Sequence, residues 1–69
     1  MKITFDKEAD AIYIEFVSEN FASNKQIDKN TIIDLDKKGN ILGIEFLNVS
    51  KRISKEAFSD IVIKNLVPA

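Results

Sequence analysis

Sixty-nine residues, 45% of them hydrophobic and 30% charged, suffice for one small hydrophobic core and are too few for two domains. Ten basic and eleven acidic side chains leave a net charge of -1, and the basic residues are scattered apart from Lys51, Arg52 and Lys55, so no nucleic-acid partner is expected. With no cysteine and no histidine, disulfides, thiolate or imidazole metal sites, cysteine nucleophiles and Ser-His catalysis are excluded.

The chain opens on Met1-Lys2-Ile3-Thr4-Phe5-Asp6, where polar residues already interrupt the apolar ones, so no secretory leader is expected. No stretch approaches the ~20 apolar residues of a membrane span. The expected location is therefore cytoplasmic, with no membrane partner. Ile3 and Phe5 alternate with Lys2 and Thr4, and Ile12, Ile14 and Phe16 alternate with Tyr13 and Glu15. This period of two predicts a β-hairpin over residues 2–17. Residues 18–30 are polar, with Phe21 and Ile27 as isolated apolar anchors, and predict a connecting loop with room for one short strand near Gln26 to Asp28.

Residues 31–47 predict a second hairpin, and it repeats the first. Residues 3–16 align without gaps on residues 33–46, with identities at Ile3/Ile33, Asp6/Asp36, Lys7/Lys37, Ile14/Ile44, Glu15/Glu45 and Phe16/Phe46, enough to predict a common shape. In the second copy Ile33, Leu35, Leu42, Ile44 and Phe46 share one face, and Asp34, Asp36, Gly43 and Glu45 the other. Asp36-Lys37-Lys38-Gly39 suits a type I turn closed by a left-handed glycine. The first copy has Ala9 at the glycine position, so Asp10 or a longer loop must absorb the unusual backbone.

Beyond Phe46 the spacing lengthens. Ser54 is placed as an N-cap, Glu56 in the first turn, and Ile53, Ala57, Phe58, Ile61, Val62 and Leu66 recur at helical intervals, predicting a helix over about 55–66. The competing view is that the β-branched run Ile61-Val62-Ile63 forms a final strand, and Pro68 ends either element. One apolar sheet face and one amphipathic helix predict an α+β domain over residues 1–69: an antiparallel sheet of two repeated hairpins, four or five strands, with a C-terminal helix on one face.

Little in this chain carries chemistry. Asp34, Asp36, Gly39, Ile41 and Glu45 fall at EF-hand positions one, three, six, eight and twelve. Lys38 occupies position five, where a ligand oxygen belongs, and both flanks alternate as strands, so a hairpin turn is the better reading. Glu15, Asp34, Asp36 and Glu45 form a candidate carboxylate set for a small ligand or divalent ion, against the plainer reading of a solvated polar face. Tyr13, Val17, Ile32, Ile41 and Leu47 are assigned to the same outer face. Adjacent, they would make an apolar patch for a second copy or a small protein partner; dispersed, or covered by the helix, they would be structural. Tyr13 and the five serines lack a histidine base, no cofactor is indicated, and enzymatic function ranks last.

The stretch from Ile3 to Ile14, with Ile33-Asp34-Leu35-Asp36, Gly39-Asn40-Ile41-Leu42-Gly43-Ile44-Glu45-Phe46 and Asn48-Val49-Ser50-Lys51-Arg52, resembles a family of small prokaryotic proteins catalogued as domain of unknown function 2283. The resemblance spans about residues 2–53 and implies no established activity and no functional residue. Some members resemble the partner of a small neighbouring toxin-like protein, which implies an antitoxin-type role. The expected function is thus a non-enzymatic protein-interaction module, with small-ligand or metal binding as the alternative.

Overall fold

In the computed structural model, which describes residues 1–60, the alternating segments form five strands: β1 (Lys2–Asp6), β2 (Ala11–Glu15), β3 (Ser23–Asp28), β4 (Thr31–Leu35) and β5 (Ile41–Phe46). They make one antiparallel sheet in the order β1-β2-β5-β4-β3. Two short helices follow, α1 (Val49–Arg52) and α2 (Lys55–Asp60). The fold is α+β with five strands, the fifth being β3, which is longer than the short strand expected around residues 26–28. Its polar sequence, Ser23 to Asp28, is exposed along its whole length, and Phe21 and Ile27 are exposed rather than anchored.

The repeat becomes geometry. Ile3 lies opposite Ile14 in the first hairpin, and Ile33 opposite Ile44 in the second, the same register thirty residues on. The hairpins join through β2 and β5, where Ile14 lies opposite Ile44, its own counterpart in the repeat. A local two-fold axis therefore runs between these isoleucines, and Ile3, Ile14, Ile44 and Ile33 form one row across four strands on the inner face. Phe5, Ile12, Phe46 and Thr31 form the next row.

The two copies diverge at their turns. Asp10 adopts φ 53 in the first, and Gly39 φ 88 in the second, one aligned position earlier. Asp36 builds the second turn by accepting from the amides of Lys38 and Asn40, both at 2.9 Å, and from Asn40 Nδ2 at 3.0 Å. That earlier closure sets Leu35 opposite Ile41 while Asp34 stays opposite Gly43, so Leu42 is the extra residue of a bulge against β4.

Both helices pack at one end of the inner face. Asp10 reaches α1 across the chain: its carbonyl accepts from the Val49 amide at 3.0 Å, and its carboxylate from the Ser50 amide at 3.1 Å and hydroxyl at 2.7 Å. These bonds satisfy orphan donors of the first turn, which the left-handed Asn48 at the N-cap leaves unbonded. Arg52 donates to the Asn30 carbonyl at 2.6 Å and to Thr31 Oγ1 at 3.0 Å, with its guanidinium 5.4 Å from the Phe46 ring centre. Ser54 caps α2 as expected, accepting from the Ala57 amide at 3.1 Å, and Phe58 meets Phe5 edge to face at 4.8 Å. The expected helix is seen over 55–60; its continuation to 66 and the alternative strand at 61–63 lie outside the described residues. Among the described residues the buried core is Ala11, Ile12, Leu42 and Val49.

Candidate functional site on the outer sheet face

The outer face is built around the positions at which the two hairpins differ. Tyr13 on β2 corresponds in the repeat to Gly43 on β5, and Thr4 on β1 to Asp34 on β4. In the sheet, Glu15, Gly43 and Asp34 form one cross-strand row, and Tyr13, Glu45 and Ile32 the next. The absence of a side chain at Gly43 lets the Tyr13 ring lie diagonally across β5, and its hydroxyl donates to Asp34 Oδ2 at 2.8 Å. A Cβ at Gly43 would overlap the Tyr13 hydroxyl and come within 2.8 Å of the Ile14 carbonyl oxygen. Glycine is required here for space, not for backbone conformation.

Burial, the hydrogen bond to Asp34 and the charges of Asp34, Glu15 and Glu45 push the Tyr13 hydroxyl up to about 12. Each disfavours the phenolate. The hydroxyl is thus a proton donor held in place, with the wrong bias for a nucleophile or base at neutral pH. Beside it lies a cleft of about 310 Å³, walled by Val17, Glu19 and Phe21 and floored by Tyr13, Glu15 and Asp34. Val17 and Phe21 are 44% and 61% exposed, so two apolar side chains stand open to solvent beside polar ones.

The proposed apolar set is only partly gathered. Tyr13 and Val17 line the cleft, and Ile32 sits beside Glu45 in the Tyr13 row. Ile41 is displaced by the bulge to lie opposite Leu35, which breaks the parity that assigned it to the outer face. Leu47 lies at the other end of the sheet, its amide bonded to the Asn30 carbonyl at 2.8 Å. The carboxylates divide likewise: Glu15, Asp34 and Glu45 surround Tyr13, whereas Asp36 belongs to its turn, where bonding to Asn40, first through the side chain, holds its carboxyl below the usual range. Among the described residues, no three His, Cys, Asp or Glu side chains are grouped to hold a metal ion. Phe21 and Glu19 are cleft residues that sequence reasoning did not assign to the site; the signal was an apolar residue isolated in a polar segment beside Asn20, which adopts φ 63.

A match to the family described as "Protein of unknown function (DUF2283)" covers residues 2–50. The chain belongs to this family. The DUF2283 match takes in both hairpins and the α1 segment through Ser50, hence the Tyr13, Gly43 and Asp34 cluster and the Asp10 anchor. An uncharacterized protein of Methanocaldococcus jannaschii is 35% identical over 68 residues, covering 97% of this chain and 55% of that protein. The chain therefore spans about half the length of this curated relative. No solved structure matches it. Among the described residues, no helix is long and apolar enough to cross a membrane.

Proposed function

We propose that this DUF2283 chain is an intracellular, non-enzymatic protein-binding module that receives a small protein partner on its outer sheet face. The observation that carries this reading is the cleft beside Tyr13, where exposed Val17 and Phe21 flank a fixed, polar floor. Exposed aromatic and aliphatic side chains beside groups able to hydrogen-bond are the materials of a protein-binding surface. The Tyr13 hydroxyl supports contact rather than catalysis, because its one proton is committed to Asp34 and its oxygen is left as a fixed acceptor. An antitoxin-like role, in which the chain neutralises a small partner encoded beside it, is the form of this reading that the family resemblance suggests.

Co-expression of the tagged chain with the protein encoded by its neighbouring gene tests the reading. The expected result is co-purification that the double substitution Val17→Asp/Phe21→Ser abolishes while circular dichroism stays unchanged. A neighbour that never co-purifies, or one that binds the double variant equally well, overturns it.

A further inference from the structure

The two edges of the sheet differ. β3 is an edge of a protected kind: wholly exposed, polar but for Ile27, carrying Lys25, and bulged between Gln26 and Asp28. β1 carries none of these devices across its central residues. It is paired to β2 in unbroken register from Lys2 to Asp6, its alternation is intact, and Ile3 and Phe5 are half-buried on the inner face. The local two-fold axis relates β1 to β4, and β4 carries β3 on its far side. At the equivalent position beside β1, no strand lies among the described residues.

The β1 sequence is complementary to itself. Run antiparallel to a second copy about Thr4, Lys-Ile-Thr-Phe-Asp sets Lys2 opposite Asp6 of the second copy, Ile3 opposite Phe5, and Thr4 opposite Thr4. Opposite charges then meet at both ends, an aromatic meets a β-branched side chain on the inner face, and two threonines meet at the centre. All three are favourable cross-strand pairs. We propose that β1 is a homodimerisation edge, two copies pairing β1 to β1 across a two-fold axis at Thr4 to form one continuous ten-stranded sheet. The contact is isologous, so each pair occurs twice and the assembly closes at two subunits. Its inner faces join, extending the isoleucine row of each chain through Ile3. This contact lies on a different surface from the Val17 and Phe21 cleft, so either proposal can fail alone.

Sedimentation equilibrium of the full chain tests it. The wild type is expected to dimerise; Lys2→Asp alone and Asp6→Lys alone each replace two attractive pairs by two repulsive ones and should weaken dimerisation about tenfold or more. Mixing the two variants restores opposite charges at both ends and should recover a mixed dimer. Asp6 also accepts from the Ala9 amide at 3.1 Å, so Asp6→Lys loosens the turn, and a second variant avoids that dependence. Thr4→Cys, in a chain with no other cysteine, should oxidise to a disulfide-linked dimer, while Asn24→Cys on the β3 edge should not. A wild type that stays monomeric, charge variants that dimerise as well as wild type, a mixture that does not recover, or equal cross-linking at positions 4 and 24 overturns the proposal.

Discussion

Replacing Gly43 by alanine should cost far more than the addition of one methyl group normally does. The new Cβ meets two obstacles of different stiffness: the Tyr13 hydroxyl, which can swing away, and the Ile14 carbonyl oxygen at 2.8 Å, which belongs to the adjacent strand. Swinging Tyr13 away sacrifices its bond to Asp34, about 1 to 2 kcal/mol for a part-buried bond to a carboxylate. Moving the β2 backbone adds about 1 to 2 kcal/mol of overpacking strain. The sum, about 2 to 4 kcal/mol, rivals the ~3 to 5 kcal/mol that a domain of this size commonly has. Urea titration followed by far-UV circular dichroism should therefore show the midpoint falling by about 40% or more at unchanged slope. In a Tyr13→Ala background the first obstacle is gone, and Gly43→Ala should cost only the backbone part. A loss below ~0.5 kcal/mol, or the same loss in both backgrounds, would refute the steric argument.

Tyr13 is the sole tyrosine, so phenolate absorbance near 295 nm reports it alone, and its midpoint should fall near the raised value of about 12. Because the folded-state value lies above the ordinary tyrosine value of 10.0, the hydroxyl's contribution to stability is complete below about pH 10 and is lost as pH rises from there towards 12. Tyr13→Phe should remove that alkaline component, and a midpoint near 10 in the folded protein would contradict the proposed environment. Asp10→Ala removes the carboxylate that accepts from both Ser50 groups and should destabilise the fold by about 1 to 2 kcal/mol. Amide exchange should rise first at Val49 and Ser50, and equal acceleration throughout β5 would assign Asp10 a different role.

The hairpins were legible because half-buried strands write their burial in alternation, and the thirty-residue repeat supplied an independent check at Ile14 and Ile44. The strand order was not, since nothing local to Ile14 states that its neighbour lies thirty residues away. β3 is legible only near its end because Ile27 is the one apolar residue from Ser23 to Asp28, leaving no periodicity to detect. The misplacement of Ile41 has a compact cause: Gly39 closes its turn one aligned position before Asp10 closes the other, and the Leu42 bulge absorbs the offset. Four-residue α1 lacks a periodic signature, and its anchor, Asp10, lies forty residues from Ser50. The Tyr13 and Asp34 contact joins residues twenty-one apart across an intervening strand. Its trace in the sequence was the mismatch between copies, tyrosine against glycine and threonine against aspartate.

The axis between Ile14 and Ile44 also bears on how the chain folds. Pairings of β1 with β2, β3 with β4, and β4 with β5 each join sequence neighbours, so these hairpins can form independently within microseconds. Only β2 with β5 requires a long excursion, and closing a loop of thirty residues costs about 3 kcal/mol of chain entropy beyond a constant. That encounter is expected to be the slow event, with Ile14 and Ile44 near the centre of the pairing it must form. Substitutions at Ile14 and Ile44 should accordingly slow refolding, whereas those in the exposed β3 strand should chiefly speed unfolding.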